Sequence, residues 1–306
     1  MKKLLFIVNP RSGKSKIRTK LLEVLDIFSK AGYDVQIHIT QCPLDAKKAV
    51  IRKGKKADLI VCSGGDGTLN ETVSGIMELK NPPALGYIPA GSTNDYGASL
   101  NIPKQIIPAA ENAVWGESHM ADVGLFCGER YFVYVAGFGA FTEVSYITPQ
   151  DKKNFLGHQA YVMEAVKSLT SLKSSHMKIE WEKEDGSTGE MEDDFIFGVI
   201  TNTISVGGFK GLIRGKVVLN DGAFEGLFIH MPRTPIELSN IVSYLLIRDE
   251  QENECVKRIR SGKIKIHSNE PVDWVLDGEF GGTKTDVVIE NLREKLEIRT
   301  IPVKKR

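Results

Sequence analysis

The run Ser63-Gly64-Gly65-Asp66-Gly67-Thr68-Leu69-Asn70-Glu71 lies between an apolar stretch, residues 57–62, and a segment of helical apolar spacing, residues 69–77. A strand that meets a helix through a glycine cluster turns sharply and leaves its first helical amides open to a ligand. Phosphate oxygens suit those amides. A bare carboxylate at Asp66 would repel phosphate, so its presence calls for a divalent cation between the two. Glycines, a carboxylate and the Thr68 hydroxyl at one helix start read as a nucleotide–magnesium site, with a plain turn as the alternative.

The rest of the chain bounds what such a site can belong to. The 306 residues suffice for two domains. A formal net charge of +1 disfavours a dedicated nucleic-acid binder. Cys42, Cys62, Cys127 and Cys255 are far apart and form no CxxC pair, which argues against structural zinc or a disulfide scaffold and fits a reducing cytoplasm. The first residues briefly resemble a signal peptide, but Asn9-Pro10-Arg11 ends the apolar run and makes a first strand the better reading. No run approaches the ~20 apolar residues of a membrane span.

Residues 4–8, 34–39, 57–62 and 83–88 read as strands, alternating with helical segments at 15–31, 44–52 and 69–77. That alternation predicts parallel strands with crossover helices, whose ligand crevice lies at the C-terminal strand ends. Beyond Asp122 the texture changes. Residues 131–135, 177–182, 194–201, 217–219, 224–230, 264–267, 272–276, 287–290 and 296–301 read as strands, with helices only at 156–172 and 235–248 and a hairpin turn at Glu184-Asp185-Gly186-Ser187. The expected organisation is a three-layer α/β nucleotide-binding domain over 1–125 and a β-rich sandwich over 126–292. Residues 293–306 are a candidate to return to the first domain.

Two further loops belong to the same edge. Asn9-Pro10-Arg11-Ser12-Gly13-Lys14-Ser15 contains Gly-Lys-Ser, but Val8 stands where a Walker A loop needs glycine. What remains is a helix-start loop with a glycine, hydroxyls and two cations, suited to polyphosphate; simple capping by Ser12 or Ser15 is the alternative. Gly91-Ser92-Thr93-Asn94-Asp95-Tyr96 follows the strand ending near Pro89, with Thr93 and Asn94 suited to phosphate or ribose and Asp95 to a metal shell. Late in the chain, Leu276-Asp277-Gly278-Glu279-Phe280-Gly281-Gly282 places two acids on a tight turn. A carboxylate there is suited to act as general base on an acceptor hydroxyl, a contribution of roughly 10²–10⁴-fold in rate. Asn220-Asp221-Gly222 is either a turn or a metal loop.

In order and spacing, Asn9-Pro10-x-Ser12-Gly13, Gly64-Gly65-Asp66-Gly67-Thr68-x-Asn70-Glu71, Gly86-x-Ile88-Pro89-x-Gly91-x-Thr93-Asn94-Asp95, Ser205-Val206-Gly207-Gly208-Phe209, Asn220-Asp221-Gly222 and Leu276-Asp277-Gly278-Glu279 resemble the diacylglycerol kinase catalytic-domain family, in particular its soluble bacterial lipid kinases. The resemblance implies a two-domain kinase with its active site in the interdomain cleft. It implies ATP contacts at Asn9, Pro10, Arg11, Ser12, Gly13, Thr40, Gly64, Gly65, Gly67, Thr68, Asn70 and Thr93. Asp66, Asp95 and Asp277 would share a Mg²⁺ and water network, with Asp277 or Glu279 activating the lipid hydroxyl. A second, structural Mg²⁺ would be held by Asp221 with Val218 and Ala223. Diacylglycerol at a membrane surface, a cytoplasmic location and a homodimer complete the expectation.

This chain departs from the family pattern twice. Arg214-Gly215-Lys216 stands where relatives carry an acid near the structural metal, and Gly139 stands where many carry an acid in Gly-Phe-x-Ala. Membrane contact is expected at Asp151-Lys152-Lys153-Asn154-Phe155 and Gly207-Gly208-Phe209-Lys210, where cations accompany aromatics. Competing readings are a kinase for another lipid alcohol or for NAD, and a degenerate nucleotide- or lipid-binding regulator. The four acids weigh against the regulator, because a binder needs no base. Six scattered histidines without a Ser-His-Asp spacing disfavour a hydrolase.

Overall fold

The computed structural model describes residues 1–13, 17–139, 173–183, 185–203, 205–206, 209–210, 217–246 and 253–301. Lys14, Ser15, the helix expected over 156–172, the basic segment 151–155, Gly207-Gly208 and Arg214-Gly215-Lys216 lie outside these residues.

The first four strands, β1 (Lys2–Val8), β2 (Tyr33–Ile39), β3 (Leu59–Gly64) and β4 (Ala84–Pro89), pair in parallel in the spatial order β4-β3-β1-β2. Their crossovers carry α1 (Ile17–Lys30), α2 (Asp45–Lys53) and α3 (Asp66–Ile76). Right-handed connection puts α1 on one face, because β1→β2 runs toward one edge of the sheet, and α2 and α3 on the other, because the chain then runs back. β3 and β4 are buried at every position, as a two-sided parallel sheet requires. Two helices not anticipated in the sequence follow: α4 (Asp95–Ser99), and α5 (Ile106–Trp115), whose Ala109, Ala110 and Ala113 pack at helical spacing. Ala113 lies so close to β4 that a Cβ on Gly86 would fall 2.6 Å from its own.

The remaining strands are antiparallel: β5 (Glu117–Phe126), β6 (Arg130–Phe132), β7 (Val135–Gly139), β8 (Ser175–Glu182), β9 (Thr188–Thr201), β12 (Phe224–His230), β13 (Val256–Ser261), β14 (Lys263–Leu276) and β15 (Glu279–Thr300), with a short separate pair β10 (Ser205–Val206) and β11 (Phe209–Lys210). Among the described residues, one helix, α6 (Pro235–Leu246), interrupts them. The fold is a two-domain α/β fold with a strand-rich C-terminal half. Its aromatic core centres on Trp274, with ring centroids 5.3 Å from Phe126 and 5.1 Å from Phe138. Segments expected as separate strands at 264–267 and 272–276, and again at 287–290 and 296–301, are single long strands carrying register shifts. β15 couples the halves. Its first part pairs with β14, its second part, Ile289–Thr300, with β5, and Ile298 lies parallel beside Leu85 of β4. Among the described residues, thirteen strands thus form one hydrogen-bonded network. Residues 217–219, expected as a strand, are loop, because Leu219 O is taken by Asp122 N and the chain turns at Asn220.

Candidate functional site

The loops after β1, β3 and β4 meet at the C-terminal end of the parallel strands. Their contact is backbone on backbone. A Cβ on Gly91 would fall 2.6 Å from Gly65 Cα, and one on Gly13, whose φ is +53°, would fall 2.4 Å from Ala90 O. These glycines therefore serve loop packing as well as ligand access. Asn9 joins the first loop to the second: its Nδ2 donates to Thr68 Oγ1 (2.8 Å), its N to Ser63 O (2.9 Å), and its Oδ1 accepts from Arg11 N (2.9 Å). Ser12 N reaches Asn9 O at 3.4 Å, and Arg11 is exposed beside Pro10. Thr40 extends the β1–β2 pairing, donating N–H to Val8 O at 2.9 Å. Asn94, at φ 53°, closes the third loop: its Oδ1 accepts from Gly91 N at 2.9 Å and from the Tyr87 hydroxyl at 3.2 Å. Tyr87, absent from the sequence reading, is a fully buried support whose hydroxyl also reaches Gly64 O.

Asp66 opens α3 behind Gly65, which caps the helix in extended conformation. It is 8% exposed, and Thr93 Oγ1 donates to its Oδ2 at 3.2 Å, while Oδ1 is buried without a partner. Burial, then the charges of Asp95 and Asp277, push its carboxyl up to about 6. Asp95 is itself buried at the first position of α4.

Asp277 arrives from the C-terminal half, on the turn between β14 and β15. Its backbone is left-handed (φ 50°), and its carboxylate accepts four hydrogen bonds. Val133 N (2.7 Å) and Asn70 Nδ2 (2.7 Å) reach Oδ2; Tyr134 N and Val135 N (both 3.0 Å) reach Oδ1. Burial raises this carboxyl, and the four donors pull the other way. Glu279, two residues on, is exposed, and its Oε1 lies 3.1 Å from where a Cβ on Gly67 would stand. Arg130 Nη1 holds the same turn through Phe280 O (2.9 Å). The structure thus brings Asn9, Ser12, Gly13, Gly64, Gly65, Asp66, Gly67, Thr68, Thr93, Asp95, Asp277 and Glu279 to one edge.

Comparison with known proteins shows the family. Residues 3–126 match the diacylglycerol kinase catalytic domain. The chain is 35% identical over 287 residues to a diacylglycerol kinase of Bacillus subtilis, covering 92% of this chain and 91% of that protein. It is 32% identical over 301 residues to a diacylglycerol kinase of Staphylococcus aureus, covering 97% and 92%. A solved structure from Bacillus anthracis superposes with a TM-score of 0.80 at 25% identity, over 98% of this chain and 95% of that one. The chain belongs to the diacylglycerol kinase family.

Within this family frame the departure at Gly139 acquires a physical explanation. At Gly139 φ is +85° and a Cβ would fall 2.2 Å from Ile196 O, so no acid fits on this backbone. Around Asn220-Asp221-Gly222, Asp221 Oδ2 accepts from Arg260 Nη2 at 2.6 Å and Oδ1 from Ala223 N at 3.1 Å. Arg260 Nε stands 3.7 Å from Glu225 Oε1, and burial with the Asp221 charge pushes Glu225 up to about 7. Among the described residues, no three His, Cys, Asp or Glu side chains converge as metal ligands. At Val218, Asp221 and Ala223, where the resemblance implies a structural cation, an arginine stands against the one carboxylate, that of Asp221. Asp122, named from sequence only as a boundary, clamps this loop: its fully buried carboxylate accepts from Gly222 N and Glu294 N, both at 2.8 Å. A lone acid inside the apolar strand Met120-Ala121-Asp122-Val123 is the signal that marks it. At the main site the chemistry of the Asp66 carboxylate suits Mg²⁺. The orphaned Asp66 Oδ1 is a free anionic donor, whereas the lone pairs of Asp277 are taken.

Proposed function

We propose that this kinase transfers the γ-phosphate of ATP to the hydroxyl of diacylglycerol, giving phosphatidic acid, at a membrane surface. The observation that carries this reading is the convergence of three glycine loops and the partnerless Asp66 oxygen with an acid turn from the other half of the chain. The loop amides and Arg11 bind and orient the triphosphate, and Thr68 and Thr93 line it. Asp66, with Asp95 close by, would hold Mg²⁺, which when bound neutralises phosphate charge. In-line phosphoryl transfer asks little more of the protein than positioning and electrostatics. Glu279 takes the acceptor's proton, because its lone pairs are open beside the start of α3, while Asp277 spends its own on four donors. The names of the full-length relatives support diacylglycerol as acceptor, and the two halves are proposed as a nucleotide domain and a lipid domain.

The test is transfer of γ-labelled phosphate from ATP and Mg²⁺ to a lipid panel in anionic mixed micelles, with NAD as soluble control. Label in phosphatidic acid, reduced roughly 10²–10⁴-fold in Glu279→Gln, supports the assignment. Label in NAD, or in no lipid, overturns it.

A further inference from the structure

Asn70 is expected from its motif to contact the nucleotide, yet its amide points elsewhere. Nδ2 carries two hydrogens, and both cross to the C-terminal half: one to Asp277 Oδ2 at 2.7 Å, the other to Tyr131 O at 2.9 Å. Tyr131 belongs to β6, just ahead of the N–H groups of Val133, Tyr134 and Val135 that hold Asp277. A single amide thus ties the acid turn and the strand segment beneath it to α3. The same helix carries Asp66 one turn earlier, and Thr68, which is bonded to Asn9. Next to Asn70, the Glu71 carboxylate takes Leu44 N (2.8 Å) and Ala46 N (3.2 Å), so it anchors the helix within its own half. Phosphate-side and acceptor-side groups are therefore set on one rigid element.

We propose that Asn70 is a positioning residue and not a nucleotide ligand: it fixes the Asp277–Glu279 turn relative to the Asp66 end of α3 by donating both amide hydrogens across the cleft. This rests on the kinase reading above. A carboxamide is the side chain that suits the task. It presents two donors from one nitrogen to a carboxylate and a carbonyl, whereas a carboxylate at this position would face Asp277 with like charge. A shift of about 1 Å in a reacting group costs about 10²-fold in rate without altering ground-state contacts to the other substrate.

The experiment compares wild type, Asn70→Ala and Asn70→Asp for ATP affinity by titration calorimetry, for lipid phosphorylation from pH 5.5 to 8.5, and for thermal midpoint. In both variants kcat should fall about 10²-fold at pH 8 with ATP affinity within about twofold of wild type. Asn70→Asp should recover toward acid pH, because a proton shared between the introduced carboxyl and Asp277 restores the hydrogen bond; Asn70→Ala should not. That divergence is a signature that simple destabilisation does not produce. Loss of ATP affinity in proportion to activity, or identical pH profiles for the two variants, overturns the proposal. Failure of wild type to phosphorylate any lipid would instead overturn the kinase reading, while the ATP titration would still report on Asn70.

Discussion

Two acid–glycine turns in this chain look alike in sequence and are opposite in structure. Asp66-Gly67 opens a helix with one carboxylate oxygen buried and unpartnered, and burial together with Asp95 and Asp277 raises its carboxyl to about 6. Asp221-Gly222 has both carboxylate oxygens engaged, one by Arg260 and one by Ala223 N, and its loop is clamped from beneath by Asp122. A buried, unsatisfied anion is costly to a fold that has no ligand for it, whereas a satisfied one is a structural fastener. The first turn is thus organised around something the chain does not itself provide, and the second is complete. Asp277-Gly278 stands between them: fully satisfied like Asp221, yet placed in the cleft beside the open Glu279.

Four substitutions would break or sharpen that comparison. The largest effect is expected at Asp66→Asn, which should lower lipid phosphorylation by about 10³-fold, the order seen when one transition-state electrostatic donor is lost. The same change should stabilise the nucleotide- and metal-free protein at pH 7.5. An acid whose folded value is about 6, against 3.8 unfolded, makes the fold lose stability as pH rises from about 4 to about 6, by on the order of 3 kcal/mol, and then level off. The difference in stability between wild type and variant, from urea melts across pH 4–8, should show that slope, since Glu225 and the other buried acids contribute equally to both. A loss of stability in Asp66→Asn would mean the carboxylate is satisfied after all.

Asp122→Ala should come next, at about 3 kcal/mol, because it strands the Gly222 and Glu294 amides. Chemical denaturation measures it, and the denaturant slope should be unchanged. Gly13→Ala follows at about 2 kcal/mol, since the added Cβ meets Ala90 O and the left-handed backbone strains any other residue; ATP affinity should fall with it if the loop holds phosphate. The smallest effect belongs to Arg260→Gln, at about 1 kcal/mol, because the pair with Asp221 is partly exposed. The Asp66→Asn protein, which lacks the main-site anion, should keep its thermal midpoint in EDTA. A midpoint that drops in EDTA in that variant would restore a cation to the Asp221 loop and erase the contrast between the two turns.

The alternation of apolar runs with helical segments made the parallel β1–β4 sheet legible, and glycines at three strand ends made the ligand edge legible, because both are local patterns of period and turn chemistry. The long antiparallel strands were read as fragments: β14 and β15 bend through register shifts where polar residues interrupt the apolar alternation. α5 carries Pro108 within its first turn, which reads in sequence as a break rather than as a helix. At the site, residue types were recoverable and partners were not. Sequence spacing cannot say that Asn70 faces Asp277 across 207 residues, or that Arg260 reaches Asp221 from 39 away.

By itself, then, the sequence determined the strands and crossover helices of the first half, its sheet class, the family and the acids available for chemistry, since those follow from local patterning and side-chain identity. Only the tertiary structure decided which acids are open and which are already satisfied. That distinction depends on backbone amides and charges from strands far away in the chain, and a carboxylate's chemistry is set by what occupies its lone pairs.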